Sequence, residues 1–170
     1  MLEFVSDAVV LDKEPLGEAD SRITLYTEKC GKVIAKATGG RKITSRLAGH
    51  LEPGSIVRVR IVGNRGGQIA DALQWSAFSR TRESLALLRF TAQLAFEGDV
   101  DQGLWELLMR APYERVGVED ILRILGFDPR EAACGSCGRT MPEYFDSREA
   151  RFVCEPCMKR ARLADGLFRW

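Results

Sequence analysis

One histidine, His50, is the only imidazole in the 170-residue chain. No glycine-rich turn runs into Gly-Lys-Ser or Gly-Lys-Thr, so a phosphate-cradling P-loop is absent. No recognisable nucleophile motif accompanies the histidine, and the expectation is a protein without bond-making catalysis. His50-Leu51-Glu52 matches half of the zinc deaminase signature. The other half, Pro-Cys-x-x-Cys, is missing: Cys134 follows Ala133, and Pro156-Cys157 runs on into Met158-Lys159-Arg160. No apolar run approaches the roughly 20 residues that a membrane helix needs. Glu3 and Asp7 stand where a signal peptide carries cations, so a soluble, cytoplasmic protein is expected. Internal repeats and low-complexity segments are also absent.

Net charge is nearly absent too, at +1, but its distribution is uneven. The first 28 residues hold two bases and seven acids, whereas Lys29 to Arg65 holds nine bases and one acid, Glu52. At its centre stands Lys36-Ala-Thr-Gly-Gly-Arg-Lys-Ile-Thr-Ser-Arg46. Paired glycines permit a tight turn with positive φ, and Arg41, Lys42 and Arg46 leave it with Thr44 and Ser45 between them. Such a patch suits a phosphate backbone, whose condensed counterions are released on binding.

Strand-like alternation surrounds this loop. Residues 4–11, 21–28, 32–37, 55–62 and 68–75 read as five short strands. Glu52-Pro53-Gly54 and Gly63-Asn-Arg-Gly-Gly67 read as turns. A five-stranded barrel of the OB type fits these spacings; an open antiparallel sheet fits nearly as well. The residues expected to point outward are Arg22 and Tyr26, Lys32 and Lys36, and Arg58 and Arg60. Together with Arg41, Lys42 and Arg46 they form the expected nucleic-acid-binding set. Aromatics are scarce here, so backbone contacts should dominate and sequence preference should be weak. For Tyr26 a half-buried place in the strand competes with a stacking role.

Beyond Trp75 the period becomes helical. Leu85, Leu88, Ala92 and Phe96 mark one apolar stripe, with Gly98 as its stop. Leu104, Leu107 and Leu108 mark a second helix, and Val118, Ile121, Leu122 and Leu125 a third. These stripes read as core. The last third holds Cys134-Gly-Ser-Cys137 and Cys154-Glu-Pro-Cys157, sixteen residues apart. Two such knuckles complete a four-sulfur tetrahedron, which leaves no open position, so a structural zinc is expected. A pair of redox dithiols is the alternative. Tyr144, Phe145 and Phe152 lie between the pairs and are expected to cover the site. Cys30 stands alone and reads as a packed or turn cysteine. The expected divisions are an OB-fold domain over 1–75, a helical domain over 76–128, a zinc lobe over 129–160 and a basic tail over 161–170. The whole is an α+β, multi-domain chain.

Several stretches, in order, carry a family resemblance. Gly17-Glu-Ala-Asp-Ser-Arg-Ile-Thr-Leu-Tyr-Thr-Glu-Lys-Cys-Gly-Lys32 looks like the early strand pair of the RecO recombination and repair mediators. Gly39-Gly-Arg-Lys-Ile-Thr-Ser-Arg46 is similar to that family's basic loop, and Leu51-Glu-Pro-Gly-Ser55 to the turn after it. Ile121-Leu-Arg-Ile-Leu-Gly-Phe127, running on to Cys134-Gly-Ser-Cys137-Gly138, resembles its helix before the zinc site. The resemblance implies an N-terminal OB fold, a helical domain and a four-cysteine zinc site. It further implies binding of single- and double-stranded DNA, annealing of complementary strands, and work with RecR and single-strand-binding protein to load RecA. A cytoplasmic, nucleoid-associated place goes with that role. Against the family pattern the helical region is short, and the sequence runs thirteen residues past Cys157, where members continue into further helices. The competing expectations are a non-enzymatic protein-interaction adapter and an RNA-binding OB and zinc protein.

Overall fold

The first strand has to serve two faces, and its composition fits that demand. The structure is a computed structural model that describes residues 3–39, 47–63, 67–161 and 166–169. In β1 (Glu3–Leu16), Ala8, Val9, Val10 and Leu11 are all buried in succession rather than alternately. Ala8 and Val10 face the barrel core, with Ile23, Leu25, Ala35, Val57, Val59 and Ile61. The other face of the strand is covered as well, because helix α1 (Arg82–Leu94) lies along β1 and the next strand.

The strands that follow are β2 (Asp20–Thr27), β3 (Gly31–Ala37), β4 (Ser55–Val62) and β5 (Gln68–Ala77). They close a barrel in the order β1-β2-β3-β5-β4. Closure is by a short parallel pairing of β3 with β5 at Lys36 and Gln68, where the Lys36 N–H donates to the Gly67 carbonyl at 2.8 Å. That parallel pair is what excludes an open antiparallel sheet, and the OB-type barrel is the observed fold. β1 pairs with β4 from Glu3 to Val9 and with β2 from Ala8 to Leu16, so beyond Val9 only β2 remains. Pro15, which has no N–H to give, sits in that one-sided part.

Two helices follow in the same compact unit, Met1–Tyr113. Thr81 caps α1 by accepting from the Ser84 N–H at 3.1 Å, and Asp101 caps α2 (Gln102–Arg110) by accepting from the Leu104 N–H at 2.9 Å. Each side chain satisfies a donor that the first helical turn leaves without a partner. The expected stripe on α1 holds only in its middle. Leu88 is buried with Leu87, Phe90 and Leu94, but Leu85 is exposed and Phe96 lies past the helix end, exposed. Phe96 matches the helical period by coincidence, because the chain leaves the helix at Ala95.

The second unit, Glu114–Trp170, holds α3 (Val118–Ile124) and a 3-10 turn at Pro129–Glu131. Its remaining elements are β6 (Tyr144–Asp146), β7 (Arg151–Val153), α4 (Glu155–Ala161) and β8 (Leu167–Arg169). The three strands form a small sheet in the order β7-β6-β8. Residues 167–169, expected as part of a basic tail, are thus a paired strand. Phe145 is fully buried between Phe127 and Phe152, each ring 5.1 Å away and edge-on.

Candidate metal centre and nucleic-acid interface

Two tight turns bring the four cysteines together. In the first, the Cys134 N–H donates to the Arg139 carbonyl and the Gly138 N–H donates back to the Cys134 carbonyl, both at 2.8 Å. Gly138 takes φ of +73°, a backbone conformation glycine adopts without strain. In the second, Cys154 precedes α4 and Cys157 lies in its first turn. The knuckles are joined by two further bonds: the Gly135 N–H donates to the Phe152 carbonyl at 2.9 Å, and the Cys154 N–H donates to the Cys134 sulfur at 3.4 Å.

The four Sγ atoms all lie within 4.8 Å of one another, with Cys137 and Cys154 at 3.6 Å. A tetrahedron with metal–sulfur bonds of about 2.3 Å has edges of about 3.8 Å, so the quartet fits a metal ion of that class. Cys134, Cys154 and Cys157 are buried, packed with Val153 and Met158. These two aliphatic neighbours are what the sequence reading missed. The aromatic cover expected from Tyr144, Phe145 and Phe152 is instead, for Phe145 and Phe152, an edge-to-face cluster with Phe127. Burial pushes the Cys134 thiol up, but the backbone N–H groups of Cys154, Ser136 and Cys137 outweigh it and hold it at about 6. Cys157 is pushed up to about 12 by its hydrogen bonds to the Cys137 and Cys154 sulfurs and then by burial. Cys134 therefore ionises before Cys157, as expected where thiols crowd together.

The expected basic face has a different fate. Arg58 donates to both carboxylate oxygens of Asp7, at 3.0 and 2.8 Å. Arg60 meets Glu3 at 3.1 Å, Arg22 meets Glu14 at 2.9 Å, and Lys36 meets Asp20 at 2.7 Å. The Lys32 ammonium donates to the Ala92 carbonyl of α1 at 3.0 Å. Antiparallel pairing is the cause. It lays the acid-rich first strand beside the base-rich fourth, so charges segregated along the chain become neighbours in space. The cleft between the strands and α1, about 390 Å³, repeats the pattern, with Asp12 and Glu14 facing Arg22 and Arg89.

Tyr26 is 1% exposed, so the stacking role is replaced by a structural one. Its hydroxyl donates to the Asp101 carbonyl at 3.2 Å and accepts from the Asp101 N–H at 3.0 Å. Burial is the main reason its pKa is raised. Arg41, Lys42 and Arg46, the heart of the expected interface, lie outside the described residues. Among the described residues, no helix is long and apolar enough to cross a membrane.

Residues 1–79 match the family described as Recombination protein O N terminal. Over 184 residues the chain is 33% identical to the DNA repair protein RecO of Myxococcus xanthus (strain DK1622), covering 95% of this chain and 75% of that protein. The chain belongs to the RecO family. A second RecO relative, from Desulforudis audaxviator (strain MP104C), is 29% identical over 182 residues, covering 94% of this chain and 72% of its own length. The RecO of Alkaliphilus metalliredigens (strain QYMF) is 28% identical, with 89% and 71% covered. Membership places the chain among proteins of DNA repair and recombination. At 95% of this chain, the Myxococcus xanthus match leaves out too few residues to miss either the barrel or the cysteine quartet.

Proposed function

We propose that this chain is a DNA-binding recombination and repair mediator, without catalysis of bond chemistry, that binds single- and double-stranded DNA and anneals complementary strands. In this reading it assists the loading of RecA together with RecR, in the cytoplasm at the nucleoid, with single-strand-binding protein as a further partner. The observation that carries the reading is its similarity to DNA repair proteins over nearly the whole chain.

The barrel, residues 1–75, is the DNA-facing part, and residues 129–160 are the metal lobe. Arg41, Lys42 and Arg46 are the leading phosphate contacts. Arg22, Lys36, Arg58 and Arg60 act second, because each must first leave a carboxylate. Exposed ion pairs are weak enough for a phosphate to compete. One zinc, held by Cys134, Cys137, Cys154 and Cys157, would fix the two knuckles together; with four sulfur ligands it is structural. A titration of labelled single-stranded DNA, duplex DNA and RNA tests the reading. Tight, salt-dependent binding of both DNA forms supports it, and a clear preference for RNA would contradict it.

The adapter reading has one observation in its favour, the carboxylate partners of the barrel cations. It predicts weak DNA binding at every salt concentration.

A further inference from the structure

The loop 95–101, between α1 and α2, is fastened to the barrel along its length. The Gly98 N–H donates to the Lys32 carbonyl at 3.0 Å, and Lys32 bridges to Glu97 in a parallel sense. Tyr26 holds both the N–H and the carbonyl of Asp101. Between these points Gly31 lies against the Asp99 backbone so closely that a Cβ there would fall 1.7 Å from the Asp99 carbonyl oxygen. Within the loop the Asp99 N–H donates to the Phe96 carbonyl at 3.3 Å.

What this fixed backbone holds out is apolar. Phe96 is 77% exposed and Val100 46% exposed. A phenylalanine held in water by a well-anchored loop leaves its apolar surface free for a partner. The rim is acidic. Glu97 and Asp99 are exposed beside it. Lys32, whose charge reaches Glu97, is turned onto the Ala92 carbonyl. Phosphate is repelled by such a rim, so nucleic acid is a poor occupant.

We propose that this loop docks a partner protein whose surface offers an apolar pocket rimmed by lysine or arginine, with Phe96 as the anchor. Aromatic side chains dominate protein interfaces when they enter pockets. A loop that is already ordered loses little freedom on binding, and the acids would speed and orient the encounter. The inference rests on the mediator reading for the choice of test proteins.

The test uses the full chain, with purified RecR, single-strand-binding protein and RecA offered in turn, and Phe96→Ala and the double variant Glu97→Lys/Asp99→Lys beside wild type. The expected result is that Phe96→Ala weakens binding of one of the three about tenfold or more. The charge reversal should slow association with that protein and flatten its salt dependence, and Phe96→Ala should leave oligonucleotide binding unchanged. Equal binding by wild type and both variants overturns the docking site and leaves the mediator reading intact. Wild type that binds DNA but none of the three proteins overturns the docking site and, with it, the partner half of the mediator reading. Loss of oligonucleotide binding in Phe96→Ala overturns it in favour of a nucleic-acid contact. A wild-type dimer that Phe96→Ala dissociates in sedimentation overturns it in favour of a second copy. Wild type that binds neither DNA nor any of the proteins contradicts the mediator reading itself.

Discussion

Asp7 and Arg58 are cross-strand partners in register on β1 and β4, and both carboxylate oxygens accept from the same guanidinium. The carboxylate's hydrogen bonds also hold the arginine above its ordinary pKa, so it stays charged at all working pH values. The positive charge is present, but its nearest anion is built into the fold.

Removing that anion should therefore strengthen DNA binding. Asp7→Asn frees Arg58 and subtracts one repulsive charge from the same surface. Arg58→Glu should weaken binding less than Arg41→Glu with Lys42→Glu does. Fluorescence anisotropy over a salt series measures both, and the salt slope should change by about one unit for each phosphate that a variant newly engages or releases. Asp7→Asn binding as wild type would mean that phosphate never reaches Arg58.

Gly31→Ala should destabilise the first unit. Gly31 has φ of +61°, and an added Cβ meets the backbone of Asp99. A left-handed residue with a Cβ and an overpacked contact together cost about 2 to 4 kcal/mol. Chemical denaturation gives the number. A loss below about 0.5 kcal/mol would mean that loop 95–101 moves away freely, which would also weaken the case for a fixed Phe96.

Elemental analysis should find one zinc per chain. Cys154→Ser removes a fully buried ligand and should release the metal and unfold the second unit, because so small a unit has little other core. Metal binding requires thiolates, so zinc should be retained at neutral pH and lost as the solution is made acidic. Metal-free protein with unchanged circular dichroism would contradict the structural role.

Asp128 offers a check on local electrostatics. The Arg130 guanidinium, then its backbone N–H, hold the carboxyl at about 2 against an ordinary 3.8. A depressed carboxyl contributes stability that is present above the ordinary value and lost as pH falls through about 2. Carboxyl NMR titration should give a midpoint near 2 in wild type and a clearly higher one in Arg130→Ala, where only the backbone N–H remains. Equal midpoints would show that the pair is not formed in solution.

Much of this was legible in the sequence, and the failures have physical causes. All five barrel strands were legible, with β4 found at its full Ser55–Val62 length and β1 over residues 4–11 of its Glu3–Leu16 span. The Cys-x-x-Cys spacings located the sulfur quartet because two thiolates three residues apart suit one turn. The neutralised face was not legible, because a charge count along the chain ignores which strands lie side by side. Tyr26 shows the same limit. Its outward position on the strand was legible, but not that a loop some 75 residues downstream would cover it. β8 escaped notice because three residues are too few for a periodic signal.

The most direct test of the central claim is renaturation of complementary oligonucleotides without ATP, at low and rising salt. Annealing needs both strands' phosphates neutralised at once, and no nucleotide-binding motif is present to use ATP. The account predicts faster renaturation by wild type at low salt, lost as salt screens the phosphate contacts and lost in Arg41→Glu/Lys42→Glu/Arg46→Glu. Failure of the wild-type chain to accelerate renaturation at any salt would contradict the mediator reading and leave the adapter.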